Sequence, residues 1–359
     1  GGGGEGLSSK QWLEKHGAHV VLLDRKDGED YLKEVYTYDL IVRSPGVKLE
    51  HIKEALGTHQ VEITSQIKLF FDLCPAKIIG VTGTKGKGTT ASLVYEMLKK
   101  QGISVYLGGN IGKPPFEFLD TLNPQSIVVL ELSSFQLIDL KKSPHIAVML
   151  MTTSEHLDYH KDVYEYIDAK RNMLRYQTAS DYAIVNRDYP ASNESDIYSQ
   201  GNVYYISRER DAVEQGCYVK DGAVWVRRDK GDRRDKGDRG EKIVDTSEIL
   251  LPGKHNLENV CAAVMAATLA GVSKENIASV LKTFKGLEHR LELVGEVNGV
   301  RYYDDSFSTT PETAIAAIQA FQQPEVLVLG GSSKGSDFSE LSEVIYKAEH
   351  IRAIIGIGV

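Results

Sequence analysis

The sequence predicts an α/β fold in which mostly parallel sheets are covered by helices. Short apolar runs without polar alternation recur at residues 127–130, 146–151 and 182–185, and helical patterns separate some of them. Runs of this kind are typical of parallel strands that are buried on both faces of a sheet. At 359 residues the chain exceeds one ordinary domain, so we expect two or three. Alternating strand patterning after Gly286 predicts a domain boundary there.

The N-terminal region carries half of a dinucleotide-type unit. Glycines at residues 1–4 precede a helical stretch and an apolar strand at 18–24, which ends at Asp24. The strand expected before the glycines is missing, so we expect a truncated N-terminus; a flexible tag remnant is the alternative. A second strand, at 37–47, ends in the turn Ser44, Pro45 and Gly46. Ligands of α/β sheets usually bind at such carboxyl-terminal edges.

Residues 77–90, KIIGVTGTKGKGTT, have the layout of a phosphate-binding loop between a strand and a helix. Backbone N–H groups in such a loop face an anion, and glycine removes the Cβ that would hold phosphates away. Lys87 supplies positive charge, and Thr89 or Thr90 can reach Mg²⁺. A glycine-rich turn without a ligand is the alternative interpretation. The predicted nucleotide-binding residues of this loop are Gly83, Thr84, Lys85, Gly86, Lys87, Gly88, Thr89 and Thr90.

Composition indicates a soluble globular protein of the cytoplasm. Apolar residues make up 42% of the chain and charged residues 26%, and no apolar run approaches the ~20 residues that span a bilayer. The net charge of −8 disfavours a general nucleic-acid binder. Cys74, Cys217 and Cys261 lie far apart in sequence, which indicates reduced cysteines and neither a disulfide framework nor a zinc site.

Polar side chains follow two of the predicted central strands. Glu131 comes directly after the strand at 127–130, where a carboxylate suits a metal ligand near a nucleotide phosphate. A carboxylate that is simply hydrogen-bonded at a sheet edge is the alternative. His156 follows the strand at 146–151 and, with His160, has the i, i+4 spacing of a zinc pair. Without a third clustered ligand we favour an imidazole beside Mg²⁺ or substrate.

Other polar positions have no function that spacing alone reveals. Lys170 reads as a solvated helix residue, and Asn256 could simply cap the helix at 256–270. Asp305 and Lys334 follow strands of the C-terminal region, where turn chemistry or a shared cleft would explain them. The repeat RRDKGD at 227–238 reads as a solvated hairpin tip or loop insertion, with a basic docking patch as the alternative.

Eight segments along the chain together resemble the Mur ligases. They are GVTGTKGKGTT, GGNIG (108–112), LELSSFQL (130–137), EHLD (155–158), GKHNLENV (253–260), HR (289–290), DDS (304–306) and GGSSKGSDF (330–338). The resemblance implies a Rossmann-like UDP-sugar-binding domain at 1–68 and a central P-loop ATPase-type domain at 69–286. It further implies an incomplete Rossmann-like domain for the amino acid at 287–359.

The segments LELSSFQL and GGNIG point to the members that make peptidoglycan precursors by adding D-glutamate to UDP-N-acetylmuramoyl-L-alanine. The implied chemistry uses ATP and Mg²⁺ and passes through an acyl phosphate. We expect a monomer whose partners are these small molecules, with neither nucleic acid nor membrane among them.

The resemblance also implies residue roles. Lys87, His156 and Lys170 would be catalytic; Glu131 and Thr89 would hold one Mg²⁺, and His156 with carbamylated Lys170 a second. The remaining implied contacts are Asn256 and Asn259 with adenine, Arg290 and Asp305 with nucleotide, Asn110 with substrate, Thr309 and Lys334 with D-glutamate, and Asp24, Ser44, Pro45 and Gly46 with the uridine diphosphate.

The sequence departs from the family pattern at three places. Gly88 stands where most members have the metal-binding hydroxyl, and Phe307 where the D-glutamate ligases commonly have lysine. We also expect the C-terminal segment of the D-glutamate pocket to be absent. Two alternatives stay open: folylpolyglutamate synthase, which has a similar loop but needs no UDP-binding domain, and a regulatory nucleotide-binding module without catalysis.

Overall fold

The structure is a computed structural model that describes residues 3–156, 159–228, 240–308, 310–331 and 337–358. The chain begins with a small α/β unit. Its elements are α1 (Gly4–Lys15), β1 (Leu40–Arg43), α2 (Leu49–Leu56), β2 (Glu62–Ser65) and α3 (Gln66–Leu73). β1 and β2 pair in parallel, with Leu40 opposite Glu62 and Arg43 opposite Ser65. The carboxyl end of β1 therefore leads directly into the turn at residues 44–46.

The strand predicted at residues 18–24 is wrong, because this described segment belongs to no strand. A cavity of about 570 Å³ lies between residues 18–23 and β1. A strand needs a neighbouring strand for its backbone hydrogen bonds, and among the described residues β1 pairs with β2 and not with this segment. Asp24 instead caps a short turn, where it accepts a hydrogen bond from the Lys26 N–H at 3.0 Å.

Within the described residues the central sheet has nine strands. They are β3 (Lys77–Thr82), β4 (Val105–Gly109), β5 (Ile127–Glu131), β6 (Ile146–Met149), β7 (Tyr182–Asn186), β8 (Asn202–Ser207), β9 (Gly216–Lys220), β10 (Ala223–Arg227) and β11 (Glu241–Asp245). Their spatial order is β11-β10-β9-β8-β7-β6-β3-β5-β4, and β10 alone runs in the direction opposite to the other eight. The predicted α/β fold with a mostly parallel sheet is confirmed.

β10 and β11 are antiparallel neighbours, and the RRDKGD repeat connects them. Most of that repeat, from residue 229 onwards, lies outside the described residues. The interpretation as a hairpin tip or loop insertion therefore stays a prediction.

Helices cover both faces of the central sheet. They are α4 (Lys87–Lys100), α5 (Ser134–Leu137), α6 (Val163–Arg175), α7 (Pro190–Asn193), α8 (Asn256–Leu269) and α9 (Lys274–Leu281). Along β5, Val129 packs in the apolar cluster with α4, α8 and α9, whereas Val128 and Leu130 pack in the cluster with α3 and α6. Successive strand residues point to opposite faces of the sheet, so this non-alternating apolar run packs into two cores, one on each face.

Gly80 lets α6 pack closely against β3. A Cβ at this position would lie 2.9 Å from Met173 Cε of α6 and 2.9 Å from the Pro144 ring. Lys170 precedes Met173 by one helical turn and lies on the same face of α6. Gly80 therefore makes room for the face of α6 that also carries Lys170.

The C-terminal region forms two smaller sheets. Its elements are β12 (Glu292–Val297), β13 (Val300–Asp304), α10 (Pro311–Gln319), β14 (Glu325–Gly330), α11 (Ser339–Lys347) and β15 (Ile351–Ile357). β12 and β13 form an antiparallel hairpin, and β14 pairs in parallel with β15. The alternating pattern seen after Gly286 corresponds to the hairpin. Across the described parts of the chain, every helix is too short or too polar to cross a membrane.

We expect Ile184→Ala to lower the free energy of unfolding by about 2–5 kcal/mol, because it empties a fully buried position of β7. Ile197→Ala is the matched control, since that side chain is 81% exposed. It should change stability by about 0.5 kcal/mol or less. Urea unfolding followed by circular dichroism measures both values, and equal losses would contradict the assigned core.

Candidate active site

The phosphate loop, residues 83–90, depends on glycine at two of its turns. Gly83 has φ +154° and lies against Leu150, where a Cβ would come within 2.7 Å of the Leu150 Cβ. Gly86 has φ +87° and precedes α4 as its N-cap residue, and a Cβ there would overlap the Asn259 side chain. Only glycine adopts such angles without strain. The first backbone N–H groups of α4 follow this turn, and like those of any helix they have no acceptor within the helix and can bind an anion.

Lys87 and Glu131 bring opposite charges to the loop. The Lys87 Nζ donates to the Thr84 carbonyl at 2.9 Å, and loss of hydration lowers its pKa. Glu131 is buried at the end of β5, and its Oε2 lies 3.2 Å from where a Cβ of Gly88 would stand. Burial raises the pKa of this carboxyl, whereas Lys87 and Arg290 act in the opposite direction. The charges of Lys87 and Glu131 thus act on one another.

Lys170 reaches the same loop from α6. Its side chain is fully buried, and its Nζ donates to the Gly83 carbonyl at 2.9 Å. The ammonium also lies 4.6 Å from the centre of the Tyr166 ring. Burial, and then the charge of Lys87, hold the pKa of Lys170 well below its usual range. The interpretation of Lys170 as a solvated helix residue is therefore wrong.

His156 lies at the rim of this group of residues. Its backbone is left-handed, with φ +58°, and its ring centre is 4.8 Å from that of Phe135. Its Nε2 is 3.7 Å from Glu155 Oε2, and Glu155 Oε1 accepts a 2.6 Å hydrogen bond from Lys85. His156 is exposed, unlike Lys170.

His160 has a different environment from His156. It is buried, its Nε2 is 2.8 Å from the Ser134 hydroxyl, and its ring stacks on Phe135 at 5.6 Å. These contacts account for His160 as a packed core histidine. Within the described residues, one group of possible metal ligands of the His, Cys, Asp and Glu types comes together, namely His289, Glu292 and Asp304. His289 Nδ1 and Asp304 Oδ2 lie 2.6 Å apart there, so they already bond to one another.

Asn256 and Asn259 connect α8 to the phosphate loop. Asn259 Nδ2 donates to Asn256 Oδ1 at 2.9 Å, and the Thr90 hydroxyl donates to Asn259 Oδ1 at 3.4 Å. Asn256 Nδ2 donates to the Pro252 carbonyl at 2.6 Å. The capping explanation for Asn256 is wrong, because His255 is the N-cap residue. Thr89 is half-buried on the first turn of α4.

In sequence, Arg290 precedes the β12–β13 hairpin and Asp305 follows it. Asp305 accepts hydrogen bonds from the Leu291 N–H, at 2.9 Å, and from the Ser308 hydroxyl. The Arg290 guanidinium lies 5.6 Å from the Phe307 ring centre, and its charge acts on both Lys87 and Glu131. Thr309 and Lys334, predicted to contact D-glutamate, lie outside the described residues.

The predicted substrate residues fall into two places. Asn110 donates its backbone N–H to the Glu131 carbonyl at 3.0 Å, so it lies beside the phosphate loop. Ser44 lines the cavity of about 570 Å³, and Pro45 and Gly46 complete the turn after β1. Asp24 is half-buried in its own turn.

Sequence patterns missed two polar partners of the loop. The Tyr166 hydroxyl lies 3.0 Å from Thr84 Oγ1, and the same Thr84 oxygen accepts the Thr153 N–H at 3.0 Å. The i, i+4 spacing of Tyr166 and Lys170 was the available signal, since both lie on one face of α6. Together these two contacts hold Thr84 of the loop in place.

The residues present fit a nucleotide phosphate and a divalent cation. The start of α4 supplies backbone N–H groups and Lys87 supplies charge, as a polyphosphate requires. Glu131 is a buried carboxylate at the same place, which is the ligand type that Mg²⁺ prefers. The group can therefore accept a crowded anion together with its cation.

Comparison with known proteins agrees with this chemistry. Residues 81–267 match the Mur ligase middle domain family. The chain is 40% identical over 333 residues to a UDP-N-acetylmuramoylalanine–D-glutamate ligase of Acetivibrio thermocellus, covering 92% of this chain and 69% of the relative.

Solved structures share the fold at low sequence identity. MurF of Acinetobacter baumannii has a TM-score of 0.60 at 16% identity, covering 98% of this chain and 89% of that one. FolC of E. coli, solved with DHPP and ADP, has a TM-score of 0.56 at 15% identity, covering 88% and 90%. The fold alone does not separate these enzymes, whereas the sequence relatives do. The chain belongs to the Mur ligase family and, within it, to the UDP-N-acetylmuramoylalanine–D-glutamate ligases.

Proposed function

We propose that this protein uses ATP and Mg²⁺ to join D-glutamate to UDP-N-acetylmuramoyl-L-alanine in peptidoglycan precursor synthesis. The observation that carries the proposal is the meeting of Lys87, Glu131 and Lys170 at one glycine-rich loop. A carboxylate is a poor electrophile, so a ligase must phosphorylate it before an amine can attack. That step concentrates negative charge, which this group of residues is suited to neutralise.

In the first step a carboxylate oxygen of the alanyl group attacks the γ-phosphorus, and the bond to ADP breaks. Lys87 would stay close to the transferred phosphoryl group, and the N–H groups at the start of α4 would hold the neighbouring phosphates. In the second step the D-glutamate amine attacks the acyl carbon. The tetrahedral intermediate then expels phosphate, and the amine loses a proton as the amide forms.

The metal-binding residues of the proposal are Thr89, Glu131, His156 and Lys170. When bound, Mg²⁺ would withdraw charge from the phosphate oxygens. Carbamylation of Lys170 would join its neutral amine to CO₂ with release of one proton, which converts an uncharged amine into a carboxylate. The burial of Lys170 favours the neutral amine that this reaction needs.

The other contacts of the proposal involve all three domains, at 1–68, 69–286 and 287–359. Asn256 and Asn259 would contact adenine, and Arg290 and Asp305 the rest of the nucleotide. Asn110, together with Asp24, Ser44, Pro45 and Gly46, would contact the UDP substrate, and Thr309 and Lys334 the D-glutamate. We further propose a cytoplasmic monomer that acts on small molecules and has no nucleic-acid or membrane partner.

Phosphate release tests the proposed function when each substrate is left out in turn. We expect release only when ATP, UDP-N-acetylmuramoyl-L-alanine and D-glutamate are present together. Lys87→Ala should lower turnover by about 100- to 1,000-fold, because it removes a cation beside the transferred group. Lys99→Ala is the control on the same helix, where the side chain is exposed and pairs with Glu96. Unchanged turnover in the Lys87 variant would refute its assignment.

Lys170→Ala should lower turnover by about 100-fold or more, since a charged group at the loop is lost. Added acetate or formate should restore part of the activity by supplying a free carboxylate. Lys161→Ala, which removes an exposed lysine just before α6, should neither lose activity nor respond to the acids. Full activity of Lys170→Ala without added acid would rule out the carbamate.

Gly86→Ala should weaken ATP binding by about tenfold or more, because a methyl group would overlap Asn259 and strain the loop. Gly102→Ala is matched in backbone angle, with φ +84°, but its methyl group would meet no described atom within 4 Å. Isothermal titration with ATP should detect a loss in the first variant alone. Equal affinities in both variants would show that the loop tolerates a side chain.

A further inference from the structure

Arg43 connects the turn after β1 to the central part of the molecule. Its side chain is fully buried. Within the described residues its guanidinium donates five hydrogen bonds, divided between its two terminal nitrogens. Nη1 donates to Pro45 O at 3.2 Å, Val47 O at 3.1 Å and the Tyr159 hydroxyl at 3.3 Å; Nη2 donates to Phe135 O at 3.1 Å and Asp139 Oδ1 at 3.0 Å.

The two nitrogens serve different parts of the chain. Nη1 holds the turn at residues 44–47, which belongs to the β1–β2 unit, whereas Nη2 holds the segment that follows β5. A guanidinium is planar and its donors have fixed directions, so these bonds set both a distance and an angle. A flexible ammonium would not impose the same geometry.

The central end of this connection lies beside the candidate active site. The Phe135 ring centre is 4.8 Å from that of His156 and 4.4 Å from that of Tyr159. The Tyr159 hydroxyl in turn lies 3.4 Å from Val47 O. The turn at residues 44–47 is therefore connected to the aromatic residues around His156 through hydrogen bonds of Arg43 and Tyr159.

We propose that Arg43 is a positioning residue that fixes the turn Ser44, Pro45 and Gly46 relative to the phosphate loop. The inference rests on the proposed function, in which that turn binds the uridine diphosphate. The distance between turn and loop would then decide whether the substrate carboxylate reaches the γ-phosphorus. Because the Arg43 side chain has no exposed surface, it acts through the turn and not by pairing with the substrate phosphates.

Asp139 offers the decisive test, because it binds Arg43 from the central side. We expect Arg43→Ala and Asp139→Ala each to lower kcat/KM for the UDP substrate by about 10- to 100-fold, as displacement of a bound reactant does. The KM for ATP should stay within about twofold, since the phosphate loop keeps its own contacts. The double variant should lose less than the product of the two single losses, because both remove one connection.

Two further variants separate positioning from charge. Arg43→Lys keeps the positive charge but not the paired bonds, so it should behave like Arg43→Ala. Among the described residues, Lys68 is the second cation that pairs with Asp139, with its Nζ 3.3 Å from Oδ2. Lys68→Met removes this pair, while the turn keeps its bonds to Arg43. It should leave kcat/KM for the UDP substrate unchanged. Thermal unfolding identifies any variant that fails to fold.

Three outcomes would overturn the inference. They are normal UDP-substrate kinetics in a folded Asp139→Ala protein, normal kinetics in Arg43→Lys, and a Lys68→Met defect as large as that of Arg43→Ala. Wild-type protein that released no phosphate with all three substrates would overturn the proposed function, and this inference with it.

Discussion

Lys170 and Glu131 are buried, and Lys87 half-buried, around the same glycine-rich turn, where burial limits the screening of their charges by water. Loss of hydration is the largest influence on the pKa of all three groups. Such an arrangement costs stability unless the surrounding fold holds it in place. The two apolar clusters on either face of the sheet supply that support, because they fix β3, β5, α4 and α6 around the turn. A preorganised site of this kind need not rearrange when an anion arrives.

The regular part of the fold follows from local patterns. Uninterrupted apolar runs predicted the parallel strands, and alternation after Gly286 predicted strand structure there, which the structure shows to be the β12–β13 hairpin. The segment at 18–24 had the same apolar character, yet it forms no strand, since strand formation depends on a neighbour that local sequence does not specify. The capping interpretation of Asn256 was also wrong. His255 is the N-cap residue of α8, and the Asn256 side chain bonds to Pro252 and Asn259 instead.

Residues of the candidate site could be predicted where a charged side chain lies at the end of a strand or at the start of a helix. Lys87 and Glu131 stand at the start of a helix and the end of a strand, so topology alone brings them to one edge of the sheet. Lys170 lies inside a helix, and only the packing of α6 shows that its amine reaches Gly83. No sequence pattern singled out Arg43, because its partners Phe135 and Asp139 are more than 90 residues away. Long-range contacts of this kind leave no periodic signal.

Gly80 gives the interior of β3 an influence on chemistry that its position would not suggest. The absence of a side chain leaves room for the end of the Met173 side chain of α6 and for the Pro144 ring. Since Lys170 lies one helical turn before Met173, a methyl group at residue 80 would disturb the packing next to this lysine. Natural variation in the middle of a hydrophobic strand could then change the surroundings of a residue of the candidate site.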